Sequence, residues 1–304
     1  MKDKFKKDWD KIVKVEPLLF ASFVPLCYPD GDESKKPFTD VYCELTDREK
    51  VKKVSESCLE DFNQVNHSKK MNLVLFVSAI EHVVKIHRVI TTEFGHALLI
   101  GVGGSGRKSL TELATFIAIY DIMQIEISKA YNFEAWRDDM RLKLFLGCGV
   151  DEKQTVFLLN DTQIIMESFL EDINNVLNNG EIPNLYSAAE DIANIMDQMR
   201  DVNKNVPGFK NLGDQEIWMD FIQKCKQNVH IVLAMSPIGD AFKRRLRMFP
   251  SLVNCCAIDW FLEWPEQALK SVAEHFLKDI EDLPEIEGIV SICVDMQVRV
   301  TDIA

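Results

Sequence analysis

No stretch of this 304-residue sequence approaches the ~20 consecutive apolar residues that a membrane-spanning helix needs. The basic opening, Met1 to Lys7, has no apolar signal core behind it, so the expected setting is intracellular. The eight cysteines (Cys27, Cys43, Cys58, Cys148, Cys225, Cys255, Cys256 and Cys293) contain no C-x-x-C pair and no zinc spacing. They read as reduced and mostly buried thiols, with Cys255 and Cys256 on a strand and pointing to opposite faces. The six histidines form no H-E-x-x-H, and no metal site built from protein ligands is visible. Positive charge is also scarce: 35 Lys and Arg against 48 Asp and Glu leave a net charge of −13. That balance argues against nucleic acid and anionic membranes as direct partners, which need a basic surface. The basic runs at the N-terminus and at Lys243–Arg247 are too short to reverse it and read as solvated helix faces. Hydrophobic content of 47 % and charged content of 27 % are those of a globular protein, and the length allows one large domain or two smaller ones.

What the sequence does contain is a glycine loop. An apolar run, Ala97 to Ile100, leads into Gly101, Val102, Gly103, Gly104, Ser105 and Gly106, and then into a helix with Leu110, Leu113, Ala114, Ile117 and Ala118 on one face. Strand, glycine loop and helix together hold an anion: glycines let backbone amides converge on phosphate oxygens, and the helix N-terminus adds partial positive charge. The pattern G-x-x-x-x-G-K-[ST] is altered here, with Arg107 in the lysine position, Lys108 in the hydroxyl position and Ser109 one residue late. Arg107 keeps the charge but is bulkier than lysine. A plain tight turn is the competing reading of the glycines.

A second informative run is Thr155 to Asp161. A continuous apolar stretch reads as a buried parallel strand, and an acid at its carboxyl end lies where α/β sheets place ligands. Asp161 is therefore a candidate for holding the Mg²⁺ of a bound nucleotide, with a strand-end cap as the alternative, and Ser109 is the candidate hydroxyl ligand. Thr162 follows, where many ATPases carry a glutamate that activates water; a threonine hydroxyl does not accept that proton at neutral pH.

The remaining pattern places helices over Thr46–Val65, Met71–Thr91, Tyr131–Leu146 (ended by Gly147) and Glu167–Leu177 (capped at Asn178-Asn179-Gly180), with two more between 186 and 228. Short strands are expected over Ile122–Ile127, Val229–Met235 and Val253–Ile258, and Ser236 would be a polar sensor at the end of the second of these. The loop Pro29–Pro37 is turn-like. Trp260, Phe261 and Trp264 read as a domain-junction core. From Glu266 the chain is helical and ends without a capping element, as a chain continuing into a larger protein would.

Six segments taken in order resemble the fourth AAA+ module of dynein heavy chains of the axonemal kind. They are M-N-L-V-L-F (71–76), L-L-I-G-V-G-G-S-G-R-K-S-L (98–110), V-F-L-L-N-D-T-Q (156–163), S-F-L-E-D-I-N-N-V-L-N-N-G-E-I-P-N-L-Y (168–186), L-A-M-S-P-I-G-D (233–240) and F-P-S-L-V-N-C-C-A-I-D-W-F-L-E-W-P (249–265). The resemblance implies a P-loop AAA+ three-layer sandwich with a five-stranded parallel sheet. It divides the chain into a lead-in (1–70), a large nucleotide-binding domain (71–265) and the start of a small helical subdomain (266–304). It also implies ATP or ADP, with Mg²⁺, held by residues 101–109, by Asp161 as the Walker B acid and by Ser236. The implied partners are neighbouring AAA+ modules of the same heavy chain, with microtubules reached only through a stalk beyond this segment. The implied setting is the cytoplasm, in the cytoskeleton of a ciliary or flagellar axoneme. The departures point to slow or absent hydrolysis: Arg107, Lys108, Thr162, and Cys255 where cytoplasmic relatives have an arginine facing the neighbouring nucleotide. Arg244, Arg245 and Arg247 are the substitute candidates. The competing functions are a spacer that binds no nucleotide and an independent P-loop NTPase or kinase.

Overall fold

The computed structural model describes residues 18–24, 42–278, 280 and 285–303, together with Trp9 and Val13. The loop expected at Pro29–Pro37 and most of the charged opening lie outside these residues. The chain divides into two compact units, residues 82–261 and residues 1–81 with 262–304.

The 82–261 unit is built on five parallel strands: β3 (Ala97–Gly101), β4 (Asp121–Met123), β5 (Thr155–Asn160), β6 (Val229–Met235) and β7 (Ala257–Phe261), in the order β4-β5-β6-β3-β7. All ladders are parallel; Leu98, Leu159 and Leu233 share one register line. β3, β5 and β6 are apolar at nearly every position because both faces are covered. On one face Leu98, Ile100, Phe157, Leu159, Ile231 and Leu233 join a core with Trp136, Phe169 and Phe221. Leu99, Val156, Leu158 and Val232 turn to the other face. That face carries α3 (Arg107–Ile117), which buries Leu110, Leu113, Ala114 and Ile117, and the later part of α2 (Val77–Ile90), whose His82 ring stacks on Phe261 at 3.8 Å. The result is the expected three-layer AAA+ arrangement.

Trp136 on α4 (Phe133–Asp138) stacks on Phe169 of α5 (Glu167–Asn179), ring centroids 4.3 Å apart, and donates its indole N–H to Asp172 at 2.9 Å. Asp172 is 4 % exposed and also accepts from Arg137 at 3.3 Å, so its buried charge is fully engaged. The chain between α5 and β6 forms α6 (Ala189–Val202) and α7 (Asp214–Asn228), as expected.

Several element boundaries differ from the sequence expectation. Gly147 does not stop the Trp136 helix: after α4 the rod runs through a π-type stretch, Asp139–Phe145, to Gly149. Gly149 is the residue packing demands, since a Cβ there would lie 2.3 Å from the Phe221 ring. β4 covers only Asp121–Met123, because side chains take over beyond it; Gln124 bonds Glu112, and Ile125 O accepts from Gln163. The last strand begins at Ala257, not Val253. Pro250 takes helical angles and starts a turn, Ser251–Asn254, that buries Leu252. Cys255 and Cys256 therefore precede the strand instead of alternating along it. The cysteines are not uniformly buried and reduced either: Cys148, Cys225 and Cys256 are buried, Cys58 and Cys255 partly so, Cys293 is exposed, and Cys43 is disulfide-bonded.

In the other unit, β1 (Phe20–Ala21) pairs antiparallel with β2 (Cys43–Glu44). α1 (Arg48–Val65) starts on Asp47, whose carboxylate accepts from Lys50 N at 3.0 Å. The expected Met71–Thr91 helix begins only at Val77; Met71 is held by both backbone groups on the Asn63 side chain, at 2.7 and 3.0 Å. α8 (Asp240–Met248) belongs to the sheet unit, whereas α9 (Glu266–Leu277) and α10 (Ile286–Ile303) complete this second unit. Among the described residues, no helix is long and apolar enough to cross a membrane.

Two expectations for stability follow. Asp172→Ala leaves the Trp136 N–H unsatisfied and takes the carboxylate from Arg137, which keeps only the carbonyls of Pro183 and Asn184, and should cost about 3 kcal/mol in urea unfolding. His96, 7 % exposed, accepts from Ile231 N through Nδ1 at 3.0 Å, which requires that nitrogen to be unprotonated. Burial, followed by the charges of His230 and Lys226, lowers its pKa from 6.5 to about 4. Between these values the unfolded chain binds the extra proton, so stability is full above about 6.5 and falls as pH drops toward 4, by about 3 kcal/mol for this group. His96→Asn keeps an acceptor without the titration, and denaturation midpoints measured from pH 7 to 4.5 should then fall less steeply than in the unsubstituted chain.

Candidate nucleotide-binding site

β5, β6 and β3 are neighbours in the sheet, so their carboxyl ends bring Asp161, Ser236 and the glycine loop to one edge. β3 stops at Gly101, where a Cβ would lie 2.7 Å from Phe261 Cβ and 3.0 Å from Ser105 Oγ. The loop then opens: at Gly103 and Gly104 a Cβ would meet nothing within 4 Å. Gly104 (φ 79°) and Gly106 (φ 91°) adopt the left-handed conformation that turns the chain into α3. The first helical backbone bond of α3 runs from Leu110 N to Gly106 O at 2.9 Å. The amides of Arg107, Lys108 and Ser109 therefore have no intrahelical acceptor.

Two polar atoms in this loop are buried without a partner, Ser105 Oγ and Arg107 Nη1. The other Arg107 nitrogen, Nη2, donates to Val102 O at 3.3 Å. Burial acts to lower the Arg107 pKa and the nearby Asp161 carboxylate acts to raise it; a guanidinium in this position stays charged. Lys108 turns away, its ammonium 3.9 Å from Glu112 and its side chain 55 % exposed. Ser109 is half-buried on α3, rotated about 100° from the position where the motif's hydroxyl belongs.

Asp161 opens a tight turn, Asp161–Gln163. Its Oδ2 accepts from the Ser236 amide at 2.8 Å, which ties the ends of β5 and β6 together, and Ser236 Oγ accepts from Ile238 N at 3.3 Å. The turn is pinned by Gln163, a residue with no role in the sequence reading. Its Oε1 accepts from Asn160 N at 2.8 Å, and its Nε2 donates to Ile125 O at 2.6 Å. The signal for it was the Asn160-x-x-Gln163 spacing of a capping box. Thr162 is exposed. Of the three arginines on α8, Arg245 is committed internally, its Nε 3.2 and 3.3 Å from the Glu167 carboxylate and its side chain 13 % exposed. Arg244 is largely exposed at 3.7 Å from Glu167, and Arg247 is exposed. Cys255 Sγ lies 3.8 Å from Asn178 Oδ1.

The structure thus brings together the glycine loop, Arg107, Asp161 and Ser236, and turns Lys108 out. An open loop with three unsatisfied amides, an unpartnered hydroxyl and a partly unpartnered guanidinium fits a phosphate chain. No proton acceptor follows Asp161 to activate water.

Residues 71–304 match the family described as "P-loop containing dynein motor region D4". The chain is 44 % identical over 302 residues to human dynein axonemal heavy chain 1, and 43 % identical over 291 residues to human dynein axonemal heavy chain 6. These alignments cover 96 % and 95 % of this chain and 7 % of each relative. It is also 43 % identical over 253 residues to the Chlamydomonas reinhardtii dynein-1-beta heavy chain of the flagellar inner arm I1 complex, covering 83 % of this chain and 6 % of that protein. The chain therefore spans a small part of the length of these relatives. A family match running from before the glycine loop to residue 304, on a sheet that gathers the loop, Asp161 and Ser236 at one edge, shows that this chain belongs to the P-loop D4 family of the dynein motor region.

Proposed function

We propose that the chain is the fourth AAA+ module of an axonemal dynein heavy chain, and that it holds ADP or ATP as a regulatory or structural ligand with slow or absent hydrolysis. The observation that carries this reading is a phosphate cradle with unsatisfied amides at Arg107, Lys108 and Ser109, set beside an acid, Asp161, whose neighbour Thr162 offers no base. Residues 101–109 take the phosphates, with Asp161 and Ser236 at the far side. Residues 1–70 are the lead-in from the preceding module, 71–265 the large domain and 266–304 the start of the small helical subdomain. Its partners are neighbouring modules of one heavy chain in a ciliary or flagellar axoneme, within a minus-end-directed microtubule motor. The net charge of −13 fits a segment that does not itself touch the acidic microtubule surface.

A second reading, a spacer without nucleotide, is favoured by the Arg107–Val102 hydrogen bond, which lays the guanidinium across the loop. Purifying the chain without added nucleotide, denaturing it and identifying what is released separates the two. Released ADP or ATP, or micromolar binding by the emptied protein, is expected; no release and no binding at millimolar nucleotide would leave the spacer.

Two substitutions sharpen this. Gly103→Leu enters open space at a residue with ordinary φ, so its melting temperature should stay near that of the parent while nucleotide affinity falls at least roughly tenfold. Thr162→Glu restores a base at an exposed position. Because Lys108 still occupies the hydroxyl position, phosphate release should stay within about threefold of the parent, whereas a base acting alone is worth roughly 10²-fold or more. A gain of that size would show that the loop is competent and only the base is missing.

A further inference from the structure

We propose that this site binds the phosphates of a nucleotide without a divalent cation, the Arg107 guanidinium supplying the positive charge; the inference rests on the nucleotide-binding reading above. A P-loop metal site is made from a hydroxyl at the position after the loop cation and from the strand-end acid, acting with the phosphate oxygens. Neither group is set for that here. Lys108 stands in the hydroxyl position, and its ammonium lies along the outside of α3 at 3.9 Å from Glu112, which also accepts from Gln124 at 2.7 Å. Ser109, the nearest hydroxyl in sequence, is one helical position further around. Asp161 has one oxygen already engaged by the Ser236 amide at 2.8 Å and faces the charge of Arg107. Two cations drawn to one carboxylate repel each other, so the guanidinium raises the cost of placing a divalent ion in this corner.

Arg107 is also the group with donors to spare. Nη2 reaches Val102 O, while Nη1 is buried with no acceptor. A buried donor without a partner is costly, and a phosphate oxygen entering the loop relieves it through a charge-assisted bond. Ser105 Oγ, in a residue only 8 % exposed, is a second unpartnered donor in the same loop. The ligand class that meets both is a nucleotide polyphosphate taken up as the bare anion.

The test is isothermal titration of the nucleotide-free 304-residue chain with ADP and with ATP, each in EDTA and in excess Mg²⁺. The dissociation constants for ADP should agree within about threefold between the two conditions, and Arg107→Ala should weaken ADP binding in EDTA by roughly ten- to a hundredfold. The double substitution Arg107→Lys with Lys108→Thr rebuilds the lysine–hydroxyl pair and should make binding depend on Mg²⁺ by roughly tenfold or more. A gain of roughly tenfold from Mg²⁺ in the unsubstituted chain overturns this inference alone, whether or not the variants fold. Failure of either nucleotide to bind in either condition overturns it together with the nucleotide-binding reading.

Discussion

The contact on which the candidate site depends is the 2.8 Å hydrogen bond from the Ser236 amide to the Asp161 carboxylate. β5 and β6 are paired along their length, from Thr155 with Val229 to Asn160 with Ala234, and beyond that point the ladder gives no further backbone pairing. One side-chain bond then holds the two strand ends together where the glycine loop of β3 comes alongside. The bond also limits what Asp161 can do. A carboxylate with one oxygen serving a backbone amide has less capacity left for a metal. Architecture and chemistry are therefore not independent here, because the carboxylate that ties the strand ends is also the candidate metal ligand.

A chain of net charge −13 has no reason to attract a polyanion at long range, and screening at physiological salt confines electrostatics to about 8 Å in any case. On the proposed reading, affinity comes from the loop itself: the amides at the start of α3, the helix dipole and one guanidinium. By its place in the sequence Lys108 would double the positive charge, but its side chain turns outward to within 3.9 Å of Glu112, away from the loop. Phe261 contributes by packing. Its Cβ fills the space that a side chain at position 101 would need, and its ring is stacked under His82, which in turn is 2.6 Å from Asp259 on the same strand. β7 thus backs the root of the loop.

How much of this was legible in the sequence depended on the range of the interaction concerned. The strand–loop–helix unit was legible because glycines, apolar run and amphipathic helix all act within twenty residues, and β5 and β6 because strands covered on both faces read as unbroken apolar runs. β4 and β7 were misplaced because edge strands carry weaker patterns, and distant partners decided their ends: Gln163 and Glu112 for the first, the turn at Pro250 for the second. Gly147 looked like a helix stop, yet the glycine that matters is Gly149, and only the position of Phe221, more than seventy residues away, makes that so. The candidate site shows the same division. Gly101, Arg107 and Asp161 could be named from motif spacing, but the outward turn of Lys108 and the engagement of Asp161 by Ser236 could not.

The altered residues are easier to understand as a set than one at a time. Replacing the lysine of a P-loop with arginine alone would put a bulky fork in a space shaped for a slender ammonium, beside a hydroxyl and an acid still able to hold a divalent cation in competition with it. Replacing the hydroxyl with lysine removes that competition, and Glu112 draws the extra charge out of the loop. Thr162 in place of the water-activating glutamate removes a second carboxylate from the end of β5. The changes are mutually compatible, and on the proposed reading the arrangement they reach holds phosphate without transferring it. Such an arrangement suits the proposed reading, in which the occupied site at the carboxyl edge of the sheet is itself the useful state.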